Sequence, residues 1–126
     1  MTPNSGEAER LLGREGSGDD VADAMAIAQR FGAVVALGDA IATPQGRSWI
    51  KGTGSGGLGT SGSGDVLSGA VAGLLARGAE PAQAVAWASY VQAAAGDRLA
   101  VQVGPLGYLA SELVTEIPRV LVELGA

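Results

Sequence analysis

Seven glycines fall within the thirteen residues from Gly52 to Gly64, and the next residue, Asp65, opens a strongly apolar helical pattern. So many glycines in so short a span exclude a regular helix or strand. The preceding residues read as strand, so this loop must deliver the chain to a helix N-terminus. Such an end carries unpaired backbone N–H groups and a partial positive charge. Glycines let an anion reach those groups without Cβ interference, so the loop reads as a phosphate cradle.

Three readings of the loop can be weighed. The dinucleotide pattern G-x-G-x-x-G matches from Gly52, Gly54 and Gly57 at once, which shows how little one match means in such a segment. No acidic residue closes a following strand to hold a ribose. A nucleotide-triphosphate P-loop needs Gly-Lys-Ser/Thr, and Asp65 stands where the lysine belongs. The third reading makes Asp65 functional: a carboxylate near a helix N-terminus is stabilised as the anion. It can take a proton from a substrate hydroxyl while the loop N–H groups hold the phosphoryl group in transfer. A plain helix cap by Asp65, shared with Ser63, is the simpler alternative. A cap requires neither the length nor the glycine content of this loop.

The flanking pattern predicts helices over Gly6–Leu12 and from Asp19 or Asp20 to Phe31, with Gly32 as C-cap. Ala33–Leu37 reads as a buried strand, and Ala40–Thr43 with Arg47–Lys51 as a strand pair around Pro44-Gln45-Gly46. After the loop come a helix from Asp65 to Arg77 ended by Gly78, one from Glu80-Pro81 to about Leu99, and one from about Leu106 to Leu124. Pro118 should break or kink the last. No internal repeat is present. The order resembles the second half of an α/β sheet protein.

Absent residue types narrow the chemistry. The chain of 126 residues has no cysteine and no histidine. Thiolate nucleophiles, disulfides, the usual zinc sets and imidazole-dependent triads are thereby excluded. Acid–base work falls to a carboxylate, a tyrosine or Lys51, the sole lysine. No protein-held metal site is expected. The net charge is −5 and no basic stripe exists, so nucleic acid is not an expected partner. No apolar run is long enough for a membrane span, and the first residues lack the basic and apolar regions of a signal peptide; a cytoplasmic location is the expectation.

The residues Gly57-Leu58-Gly59-Thr60-Ser61-Gly62-Ser63-Gly64-Asp65-Val66-Leu67-Ser68-Gly69, followed by Ala72-Gly73-Leu74-Leu75-Ala76-Arg77-Gly78, resemble the signature of the ADP/ATP-dependent NAD(P)H-hydrate dehydratases. These enzymes belong to the ribokinase-like superfamily. Thr2-Pro3-Asn4-Ser5-Gly6-Glu7, Ala95-Gly96-Asp97 and Gly107-Tyr108-Leu109-Ala110-Ser111-Glu112-Leu113 extend the likeness over nearly the whole chain. The resemblance implies a ribokinase-like three-layer α/β/α fold truncated to its C-terminal half, with residues 1–126 forming one partial domain. It implies repair chemistry, in which ADP or ATP with magnesium phosphorylates hydrated NADH or NADPH on the added hydroxyl, and phosphate is then eliminated. Asp65 would contact the hydrated nicotinamide and take its proton, Asn4 would also bind substrate, and Gly62, Ser63 and Gly64 would form the anion hole. Gly38 and Asp39 stand in the family's second nucleotide loop.

The sequence departs from that family in several places. Asn4 and Gln92 stand where histidines are common; both hydrogen-bond but neither titrates. The family's Leu-Lys-Gly-Ala-x-Thr loop appears as Leu37-Gly38-Asp39-Ala40, without its lysine. The usual Asn-Pro of the glycine loop is Ser55-Gly56. Two other functions stay open beside the repair reaction: a ribokinase-like kinase of small hydroxylated molecules, and a non-catalytic module that binds nucleotide or a partner chain. An uncovered core predicts a homo-oligomer, or association with a chain that supplies the missing half.

Overall fold

The computed structural model describes residues 1–52 and 56–125; Thr53, Gly54 and Ser55 of the glycine loop lie outside the described residues. Two helices come first, α1 (Ser5–Leu12) and α2 (Asp20–Phe31), then three short strands, β1 (Val35–Leu37), β2 (Ala40–Ala42) and β3 (Ser48–Ile50). A 3₁₀ turn (Gly56–Gly59) leads to α3 (Ser63–Ala76), α4 (Pro81–Val103) and α5 (Ala110–Glu123).

Local chemistry sets the first boundaries. The Asp19 carboxylate accepts hydrogen bonds from the Val21 and Ala22 amides, and Gly32 takes the left-handed conformation (φ 63°) that ends α2. The strands form an antiparallel sheet in the order β1-β2-β3, with Val35 opposite Ala42 and Ile41 opposite Trp49. Beyond β1, the Met1 nitrogen donates to the Val34 carbonyl at 2.7 Å and the Ala36 amide donates to Met1 at 2.9 Å. These bonds flank Val35 in the spacing of parallel pairing.

Side chains alternate across the sheet and divide the core. Val35, Leu37, Ala40 and Ala42 pack with Ala8, Ala24, Ile27 and Ala28 beneath α1 and α2. Ala36 and Ile41 face the other way and meet Val85 of α4. A third cluster joins Val91, Ala95 and Leu99 of α4 to Tyr108, Leu113, Ile117 and Val120. The result is helices on both faces of a small sheet, the α/β/α layering that the sequence predicts.

Two helix boundaries differ from the sequence expectation, and of the two outcomes expected at Pro118 a break does not occur. Helix α4 continues to Val103, because nothing between Ala100 and Val103 breaks it before Gly104-Pro105. Helix α5 starts at Ala110 rather than near Leu106, and its first turn is closed by the Leu109 amide donating to Glu112 at 2.7 Å. Pro118 lies inside α5 without ending it. The carbonyl that loses its donor belongs to Val114, an exposed residue that water can serve. Among the described residues no helix is long and apolar enough to cross a membrane.

Candidate active site

The N-terminus of α3 is held from three sides. Gly62 precedes it in the left-handed conformation (φ 89°). The Ser63 hydroxyl donates to the Leu58 carbonyl at 2.6 Å, and the Gln92 side-chain amide donates to the Ser63 carbonyl at 2.9 Å. On the third side, the Thr2 and Ser68 hydroxyls pair at 2.6 Å while Ser68 donates to the Gly64 carbonyl. Leu58 itself is seated against α4: a Cβ at Gly96 would fall 2.9 Å from the Tyr108 hydroxyl and 3.0 Å from Leu58 Cδ2. Glycine at position 96 is what permits this approach.

Among the described residues no side chain caps α3. The capping alternative for Asp65 and Ser63 is therefore corrected: Ser63 spends its hydroxyl on Leu58, and Asp65 is the third residue of the helix. Its carboxylate is exposed and has no hydrogen bond or ion pair with a described residue. The Ser63 amide donates to the Thr60 carbonyl at 3.2 Å, while the Gly64 amide and this carboxylate have no hydrogen-bond partner among the described residues and stand side by side at the same helix end.

They open on a cleft of about 1040 Å³ between α3, α1 and the β1–β2 turn. Gly62, Ser63, Gly64 and Asp65 line one wall. Thr2, Asn4, Glu7 and Arg10 line another. Asn4 also caps α1, because its side-chain carbonyl accepts the Glu7 amide and the Glu7 carboxylate accepts the Asn4 amide, each at 2.9 Å. That leaves only the Asn4 side-chain NH₂ for a ligand. The Asn-x-x-Glu spacing signals this box in the sequence.

Gly38 (φ 53°) lines the same cleft, whereas Asp39, next in the turn, does not. The Asp39 carbonyl accepts the Lys51 amide at 2.7 Å, which brings the sole lysine into the cleft. The sequence offers Lys51 only as one possible acid–base group and does not place it beside the glycine loop. Burial holds the Lys51 ammonium below its ordinary value, against the opposing pull of the Asp39 and Asp20 carboxylates. Among the described residues, no group of three or more carboxylates or other ligating side chains is placed to hold a metal ion.

The motif and the cleft coincide, and comparison with known proteins decides the family. The sequence model of NAD(P)H-hydrate dehydratases matches residues 1–119. The chain belongs to this family.

An ADP-dependent (S)-NAD(P)H-hydrate dehydratase of Xanthomonas campestris pv. campestris is 39% identical over 130 residues, covering 98% of this chain and 45% of that protein. The bifunctional NAD(P)H-hydrate repair enzyme Nnr of Moorella thermoacetica is 40% identical over 98% of this chain but only 24% of its own length. The ADP/ATP-dependent NAD(P)H-hydrate dehydratase of Bacillus subtilis, crystallised with ATP and magnesium and soaked with CoA, superposes with a TM-score of 0.89. It is 31% identical over 97% of this chain and 47% of that one. The chain spans about half or less of the length of these dehydratase relatives, and its fold is the corresponding part of the ribokinase-like architecture.

Proposed function

We propose that this dehydratase-family chain supplies the anion hole and proton acceptor for ADP- or ATP-dependent repair of NAD(P)H hydrate. The observation that carries the proposal is the uncapped α3 N-terminus beside the unpartnered Asp65 carboxylate in one cleft. Asp65 would take the proton of the added ring hydroxyl as its oxygen attacks the terminal phosphoryl group. The amides of Gly62 and Gly64 would hold the charge spread over the phosphoryl oxygens, with Ser63, whose own amide is spent on the Thr60 carbonyl, fixing the turn between them. Departure of phosphate, with loss of a ring proton from the neighbouring carbon, then restores the dihydropyridine. Gly38 and Asp39 would bring the β1–β2 turn to the nucleotide, and Asn4 would offer its amide to the substrate. Magnesium would neutralise phosphate charge on the nucleotide itself, since the described residues provide no cage for it.

The same cleft would act in an assembly at work in the cytoplasm. Val66 and Val71 of α3 pack partly against the core, but no α3 residue is fully buried, and the apolar Leu75 on its outer face is exposed. Covering that face is the expected role of a second copy or of a chain carrying the rest of the fold.

Hydrated NADH incubated with the assembled protein, ADP and magnesium should regain its NADH absorbance. Phosphorylation of a hydroxylated small molecule without any NADH recovery would transfer the site to a small-molecule kinase. A well-folded chain that binds no ADP would leave only the non-catalytic reading.

A further inference from the structure

Lys51 is the charged side chain of the cleft that neither the fold nor the proposed chemistry accounts for. Four fully charged side chains line that space, Glu7 and Asp65 against Arg10 and Lys51. Glu7 belongs to the α1 capping box, and Arg10 lies in the last turn of α1, where a cation offsets the helix dipole. Lysine normally keeps its ammonium in water, and burying that group costs stability unless it is paired. Here the residue is half-buried, and its ammonium makes no hydrogen bond and no ion pair within 4.0 Å among the described residues.

The backbone imposes this position. Ala40 faces Ile50 in the β2–β3 register, and the next residue, Lys51, donates its amide to the Asp39 carbonyl at 2.7 Å. The side chain therefore leaves the end of β3 beside the β1–β2 turn, on the cleft that the α3 N-terminus also lines. Asp39 and Asp20 act on the ammonium through space, without contacting it. A helix end supplies only about half a unit of positive charge, far less than a pyrophosphate carries. A lysine adds a full point charge with three donors.

We infer that Lys51 is a phosphate-binding residue, its ammonium pairing with the pyrophosphate group of a nucleotide that the α3 N-terminus holds from the opposite wall. This rests on the nucleotide reading of the cleft. The partner pyrophosphate belongs either to ADP, the phosphoryl donor, or to the dinucleotide being repaired.

Calorimetric titration of the assembled protein with ADP and, separately, with NADH tests the inference. Lys51→Gln should weaken one of these ligands roughly tenfold to hundredfold, the range of a lost hydrogen bond to a charged group. Lys51→Arg should stay within a few-fold of the parent. Weakening confined to ADP assigns Lys51 to the phosphoryl donor; weakening confined to NADH assigns it to the substrate. Asp39→Asn keeps Lys51 and removes a competing carboxylate, so it should tighten the same ligand, and it decides the matter if Lys51→Gln does not fold. Unchanged affinity for both ligands in Lys51→Gln, or no tightening in Asp39→Asn, would overturn the role of Lys51 and leave the nucleotide reading standing. A parent protein that binds neither ligand would overturn both.

Discussion

The Gln92 side-chain amide donates to the Ser63 carbonyl at 2.9 Å, tying the middle of α4 to the first residue of α3. The other end of the same side chain, Oε1, is buried without a hydrogen-bond partner among the described residues. Gln92→Leu removes the bond, worth about 1 kcal/mol, and also the unsatisfied oxygen, whose burial costs about 1–3 kcal/mol. Unfolding free energy should change little, within about 1 kcal/mol either way. ADP affinity should fall several-fold, because the turn that presents the anion-hole amides is no longer held. Paired denaturant and calorimetric titrations separate the two effects; a large stability loss with unchanged ADP affinity would make Gln92 a packing residue only.

Gly96 serves the same loop through packing. Valine at position 96 would intrude on the Tyr108 hydroxyl and on Leu58. Overpacking of this kind costs about 1–3 kcal/mol, more than the small gain in helix propensity returns. Gly96→Val should lower the thermal midpoint and displace Leu58, with a parallel loss of ADP binding.

Acid stability should depend on Asp23. Its carboxylate accepts the Ser17 amide at 2.7 Å and an Arg14 nitrogen at 2.9 Å. The Ser17 amide is the main cause that holds it below its ordinary value of 3.8, with Arg14 assisting against burial. The folded carboxyl thus binds its proton more weakly than the unfolded one. It contributes stability in full above the unfolded value, and that contribution disappears as pH falls through the lower, folded value. Asp23→Asn should cost about 2 kcal/mol at neutral pH and flatten the loss of stability below about pH 4, as urea melts across that range would show.

The uncovered face of α3 has a solution consequence. Leu75 is 42% exposed, and it lies on a helix without a single buried residue. Leu75→Glu should weaken association measured by sedimentation while leaving the helical signal intact. Unchanged sedimentation would place the interface elsewhere.

Much of the fold was legible because its signals are local. Asp19 and Gly32 bracket α2, and the glycine loop followed by Asp65 marks both the helix start and the cleft. Non-local relations were not legible. Lys51 reaches the cleft only through the β2–β3 register and its bond to Asp39, which no spacing announces. Asn4 was read for its ligand and not for its cap, although Glu7 three residues later carries that signal. The break-or-kink expectation for Pro118 rests on its local chemistry, whereas exposure of the orphaned carbonyl, which lets the helix run on, is a property of the packed helix.

The most direct measurement compares Asp65→Asn with the parent protein in two assays, ADP binding and recovery of NADH from its hydrate. The carboxylate has no partner among the described residues, so the amide should leave ADP affinity within a few-fold. It cannot accept the hydroxyl proton, so recovery should fall by at least about a hundredfold, the lower range of general-base contributions. Recovery at the parent rate with Asp65→Asn would contradict the assignment of Asp65 as the proton acceptor of this cleft.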